Sequence, residues 1–122
     1  MVRSAFVALG IAVLLAASAC GGSTSSQQPA GSTKVTMTEF KFDPSNITVS
    51  SGKATFYLVN AGSVAHNMII LRPDGGRVAG SELVQGGGSS TFTADLTAGS
   101  YRIICDQPGH EQAGMKGTLT VT

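Results

Sequence analysis

The stretch Tyr101-Arg102-Ile103-Ile104-Cys105-Asp106-Gln107-Pro108-Gly109-His110-Glu111-Gln112-Ala113-Gly114-Met115-Lys116-Gly117-Thr118 holds the densest chemistry of the chain. Tyr101 to Cys105 is apolar and β-branched, and Thr118 to Val121 repeats that character, so both read as strands. The segment between them contains Gly and Pro and spaces Cys105, His110 and Met115 as C-x4-H-x4-M. His66 lies 39 positions before Cys105, and the chain's two histidines both fall in this set.

Outward from this loop the sequence keeps the same texture. Val35 and Met37, then Phe40 and Phe42, alternate with polar neighbours. Ile47-Thr48-Val49 follows a turn at Asp43-Pro44-Ser45-Asn46, Ala54 to Val59 is apolar and aromatic, and Met68 to Leu71 is a short buried run. Ser90 to Phe92 completes the series. Gly and Pro separate the runs, at Gly52, Gly62, Pro73 to Gly76, Gly86 to Gly88 and Gly99. No window holds an apolar period of 3.6 long enough for a helix. Short strands at regular spacing between turn signals indicate an all-β domain, a sandwich or barrel. Arg72 to Gly88 fits this pattern least and is expected to be a loop or a short helix around Ser81 to Val84.

The four singled-out residues form a chemically specific set. Thiolate and thioether are soft ligands suited to Cu(I), and imidazole suits both copper oxidation states. Two His and one Cys in a plane, with a long axial Met, make the blue-copper electron-transfer geometry. Competing readings exist for each residue alone. Cys105 could be a buried core cysteine, Met115 core filler, and the Cys-His-His set a zinc site. Zinc leaves Met115 unexplained, because thioether is a poor zinc ligand.

The N-terminus is of another kind. Arg3 is the single charge of a short leading region, Ala5 to Ala17 are apolar over 13 residues, and Ser18-Ala19-Cys20 follow. A membrane span needs about 20 apolar residues, so residues 1–19 read as a secretory signal. Gly21 to Thr33 (GGSTSSQQPAGST) has no large apolar side chain and reads as a flexible tether reaching at most about 45 Å. The folded domain is then 34–122. Removing Arg3 leaves seven basic against seven acidic residues, so the mature chain is near neutral. No basic run or aromatic stripe points to nucleic acid. Cys105 is the one cysteine of the folded part, which excludes a disulfide framework and flags it as reactive or metal-bound.

The run Tyr101 to Thr118 resembles the C-terminal ligand loop of the plastocyanin/azurin cupredoxins. Val59-Asn60-Ala61-Gly62-Ser63-Val64-Ala65-His66-Asn67 resembles the segment that gives their first His ligand. The resemblance covers about Lys34 to Thr122. It implies a Greek-key β-sandwich of about eight strands with one copper ion at one end, held by His66, Cys105, His110 and Met115. It further implies that His66 is the inner imidazole and His110 the outer one. Asn67 would tie the two loops through its side-chain amide and donate its backbone N–H to the Cys105 sulfur. The loop departs from plastocyanin, where two residues separate Cys and His. Four do so here, as in azurins and auracyanin-like proteins, while the His110-to-Met115 spacing is plastocyanin-like. The proline falls three places after Cys105, so Gln107 keeps its N–H as a second donor to the thiolate. The signal end resembles a bacterial lipoprotein box with Cys20 as the lipidated residue, although Ala17 stands where Leu is usual; ordinary cleavage near Ala19 is the alternative.

These readings converge on single-electron transfer between extracytoplasmic redox partners, such as a cytochrome or membrane oxidoreductase. The carrier is expected to be a monomer anchored by lipid to the outer face of the bacterial cytoplasmic membrane. Catalysis is not expected. Multicopper oxidases need more histidines, a binuclear purple site needs two loop cysteines, and no Ser-His-Asp set or paired-carboxylate motif is present. Copper storage or delivery is the competing expectation; the scattered positions of Met1, Met37, Met68 and Met115 do not favour it.

Overall fold

A computed structural model describes residues 27–122. The signal segment 1–19, Cys20 and the first part of the tether lie outside the described residues. The remainder forms nine strands: β1 (Thr33–Thr38), β2 (Lys41–Asp43), β3 (Asn46–Val49), β4 (Gly52–Asn60), β5 (Ile69–Leu71), β6 (Arg77–Gly80), β7 (Ser89–Leu96), β8 (Gly99–Ile104) and β9 (Lys116–Val121). They make two sheets, one in the order β2-β1-β4-β7 and one in the order β3-β9-β8-β5-β6. Both sheets are mixed, because β1 runs parallel to β4 and β3 parallel to β9. The turn at Pro44-Ser45 hands the chain from the first sheet to the second. The molecule is an all-β sandwich.

Side-chain alternation explains the layers. In β9, Leu119 and Val121 are buried while Thr118 and Thr120 face solvent. In β1, Val35 and Met37 are buried between polar neighbours. β4 lies inside its sheet and buries Phe56, Tyr57 and Leu58 in succession. Phe56 sits opposite Phe92 of β7, with the rings stacked 5.1 Å apart. Such a cross-strand pair contributes about 0.5–1.5 kcal/mol beyond its burial. Ile70, Ile103 and Leu119 fill the core from the second sheet, joined by Met68 just before β5.

The nine strands agree with the expected sandwich of about eight, and the shortest, β2 and β5, span three residues each. The segment Arg72 to Gly88 contains β6 rather than a helix. β6 is an edge strand paired only with β5, across a register shift between Ile70 and Leu71. Arg77 is exposed and Val78, Ala79 and Gly80 are all half-buried, so the sequence there lacks the alternation that marks the inner strands. At the tether end, the Ser32 amide and hydroxyl both donate to Pro29 O, at 3.2 and 2.6 Å, forming a turn before β1.

The strand register brings distant residues to one end of the sandwich. Ile69 of β5 is opposite Ile104 of β8, so the residues just before β5 meet those just after β8. These are His66-Asn67 and Cys105-Asp106. Met37 of β1 is opposite Asn60 of β4, so the β1–β2 turn, with Glu39 and Phe40, reaches the same end.

Candidate metal centre

The loop from Cys105 to Met115 closes on itself. The Cys105 amide donates to Met115 O at 3.1 Å, and the Met115 amide donates to His110 O at 3.0 Å. Between them run successive turns, His110 N–H to Gln107 O and Ala113 N–H to Gly109 O. Gly109 and Gly114 adopt φ of +81° and +114°, a region that costs residues with a Cβ. This accounts for the glycines on either side of His110.

His66 arrives from the other loop by a different device. It forms an isolated antiparallel bridge with Val84, His66 N–H to Val84 O at 3.0 Å and Val84 N–H to His66 O at 2.8 Å. Asn60, buried at the end of β4, secures the approach. Its Nδ2 donates to Val64 O and Val84 O, both at 2.8 Å, and its Oδ1 accepts from the Gly62 amide at 2.9 Å. The buried amide is thus paired at both ends.

These two supports bring His66, Cys105 and His110 together, with ligand atoms all within 4.8 Å of one another. His66 Nδ1 and His110 Nδ1 are 3.2 Å apart, and Cys105 Sγ is 3.4 Å from His110 Nδ1. His66, Cys105 and Met115 are fully buried, whereas His110 is partly exposed. Met115 abuts the other two loop residues through its backbone bonds. Asn67 Nδ2 donates to Asp106 Oδ1 at 2.6 Å and Asn67 Oδ1 accepts from the Asp106 amide at 3.1 Å, so its side chain joins the two loops. Gln107 Nε2 also donates to Asp106 Oδ1, at 3.4 Å. The side-chain hydrogen bonds of Asn67 and Gln107 in the described residues run to Asp106.

Two neighbours escape a reading of the sequence. The Glu39 carboxylate accepts from His66 Nε2 at 3.0 Å and from the Ser63 and Val64 amides at 2.9 and 3.0 Å. The Val64 amide is the main reason its pKa lies below the usual carboxylate value, with the His66 bond adding to it. Phe40 packs edge-on to both imidazoles, with ring centroids 4.8 Å from His110 and 6.3 Å from His66. Arg102 on β8 pairs with Glu111 at 2.6 Å and braces the loop from outside.

The donor set fits a small first-row ion. Imidazole nitrogens bind such an ion at about 2.0–2.1 Å, so two of them on one trigonal or tetrahedral centre lie about 3.3–3.6 Å apart. The two Nδ1 atoms, 3.2 Å apart, come close to that span. Glu39 occupies the far nitrogen of His66, which leaves Nδ1 facing the cluster. A carboxylate, carbonyl or amide beyond a ligating imidazole is the usual companion of a metal-bound His. One buried thiol with two imidazoles belongs to copper, zinc or iron rather than to magnesium or calcium.

Comparison with known proteins defines the class. The family described as cupredoxin-like domain matches residues 6–121. Plastocyanin of Dryopteris crassirhizoma is 38% identical over 94 residues, covering 67% of this chain and 88% of the relative. Plastocyanin of Scenedesmus fuscus is 33% identical over 86 residues, covering 66% and 85%. Among solved structures, auracyanin from Roseiflexus castenholzii superposes with a TM-score of 0.68 at 22% identity, over 78% of this chain and 99% of that one. Auracyanin B gives 0.70 at 24%, over 79% and 91%. This chain belongs to the cupredoxin-like family.

Proposed function

We propose that the protein is a mononuclear blue-copper electron carrier. His66 Nδ1, Cys105 Sγ and His110 Nδ1 would hold the ion, with Met115 as a weak axial ligand. Copper would supply the one-electron couple. The chain's own part is to hold a mixed hard and soft donor set that neither oxidation state fully prefers. The two loops are braced by the Asn67–Asp106 pair and the His66–Val84 bridge, so the donors have little freedom to rearrange. The backbone N–H groups of Asn67 and Gln107 would donate to the thiolate once it is formed. The convergence of His66, Cys105 and His110 from two separate loops carries this reading.

The surface at that end supports exchange with a protein. His110 is the ligand nearest solvent, flanked by exposed Pro108, Gly109, Ala113 and Gly114. The exposed large apolar residues among those described are Phe40, Val64 and Leu83. Phe40 touches His110, while Val64 and Leu83 lie two residues before His66 and one before its bridge partner Val84. An apolar rim around an accessible imidazole suits a short-lived complex, which has a small interface. A near-neutral chain offers little steering by net charge. We further propose export under the direction of residues 1–19, lipid attachment at Cys20, and a tether from Cys20 to the start of β1 at Thr33, carrying the folded domain as a monomer outside the cytoplasm.

Stopped-flow mixing of the Cu(I) protein with an oxidised cytochrome separates carrier from copper store. Rapid oxidation with copper retained is the expected result. Loss of copper to an apo-acceptor with no electron exchange would contradict it.

A further inference from the structure

We propose that Glu39 is a positioning residue for His66, fixing its ring as the Nε2–H tautomer and placing a negative charge behind the copper ligand. This inference rests on the blue-copper reading for its redox consequence, but not for the tautomer.

The three hydrogen bonds of the carboxylate end on one oxygen. Oε1 receives the Ser63 amide, the Val64 amide and His66 Nε2. An ionised carboxylate can only accept. The ring nitrogen facing it therefore carries the proton, and Nδ1 presents its lone pair to His110 and Cys105. Without this partner His66, fully buried, would have a choice of tautomers, one of which blocks the ligand atom. The fit is specific in the backbone as well. A Cβ at Gly62 would overlap the Glu39 carboxylate, so a glycine there lets the β1–β2 turn close onto the His66 loop.

The charge has a calculable effect on redox balance. The line from Oε1 across the imidazole to a metal on Nδ1 is about 7 Å, from a hydrogen bond, a ring and a metal–nitrogen bond in series. The side chain is 31% exposed, so solvent weakens the interaction. A unit charge at that distance still favours Cu(II) over Cu(I) by about tenfold at an effective dielectric between protein and water. For one electron a tenfold shift is about 59 mV.

Glu39→Gln isolates the charge, because an amide oxygen in place of Oε1 keeps the three acceptor bonds. Glu39→Ala removes bonds and charge together. Asp95→Asn is the control, the same change of charge on β7 opposite Lys53, at the far end of the sandwich from Asn60. Spectroelectrochemistry of the copper protein should show Glu39→Gln still blue, with its Cu(I)/Cu(II) balance moved about tenfold toward Cu(I), and Asp95→Asn within about twofold of wild type. In the copper-free protein, 15N NMR should find His66 protonated at Nε2 in the wild type and in Glu39→Gln, and a mixture of tautomers in Glu39→Ala. An unmoved potential in a blue Glu39→Gln, an equal shift in Asp95→Asn, or a wild-type His66 protonated at Nδ1 overturns the proposal. A wild type that takes up copper without blue colour overturns the copper reading instead and leaves the tautomer result standing.

Discussion

Asn60→Ala tests whether the His66 loop is held by one buried amide. The side chain is 1% exposed and makes three hydrogen bonds to backbone atoms. At about 0.5–1.5 kcal/mol net each, the sum is about 1.5–4.5 kcal/mol. Two features pull the value below the upper end. Val84 O keeps its bond from the His66 amide, and Val64 lies at the surface, so its bond is only part-buried. The expected loss is about 2–3 kcal/mol, or about 10–20 °C in Tm for a domain of this size. The assay is urea unfolding of the copper-free protein, followed by far-UV circular dichroism because the chain has no tryptophan. Asn60→Asp sharpens the test. It keeps the acceptor for Gly62 but sets a carboxylate against two carbonyl oxygens, so it should be at least as damaging as alanine. A loss under about 0.5 kcal/mol in Asn60→Ala at unchanged m-value, or wild-type stability in Asn60→Asp, would refute the reasoning.

Three further outcomes are expected. Met115→Leu should retain copper and raise the reduction potential, since removing a weak axial donor disfavours Cu(II); titration with copper and voltammetry check both, and loss of copper binding contradicts the axial role. Ala113→Glu should leave the absorption spectrum intact but slow electron exchange with a partner about tenfold or more, because its carboxylate must be desolvated in an apolar contact. Lys53→Glu, remote from the metal end, should do much less, and equal slowing by both contradicts docking around His110. The wild type should fractionate with membranes, whereas Cys20→Ala should block processing at that site; a soluble wild type with an unmodified N-terminus contradicts lipid attachment.

The parts of the fold that were legible are those whose physics is local. β9 and β1 set buried apolar residues between more exposed polar ones, and both stand out in the sequence. β6 does not, because an edge strand with one neighbour buries no clear face. β2 is too short to show a period. The same division holds at the site. Cys105, His110 and Met115 share one loop, so their spacing is visible directly. Glu39 and Phe40 reach the histidines only through the parallel pairing of β1 with β4, and nothing in their immediate sequence marks them. Val84 acts on His66 through backbone atoms, which leave no signature in residue type, and the side-chain amide of Asn60 acts by bonding the backbone of Val64 and Val84. One clue was available: Gly62 lies in the loop just before His66, where a close approach by another segment would require it.

The most direct measurement is the visible absorption spectrum of the Cu(II) protein beside that of Cys105→Ser. A Cys105 thiolate bound with His66 and His110 to one Cu(II) should give an intense blue colour from thiolate-to-copper charge transfer, and serine should abolish it. A colourless Cu(II) wild type, or blue colour persisting in Cys105→Ser, would contradict the site.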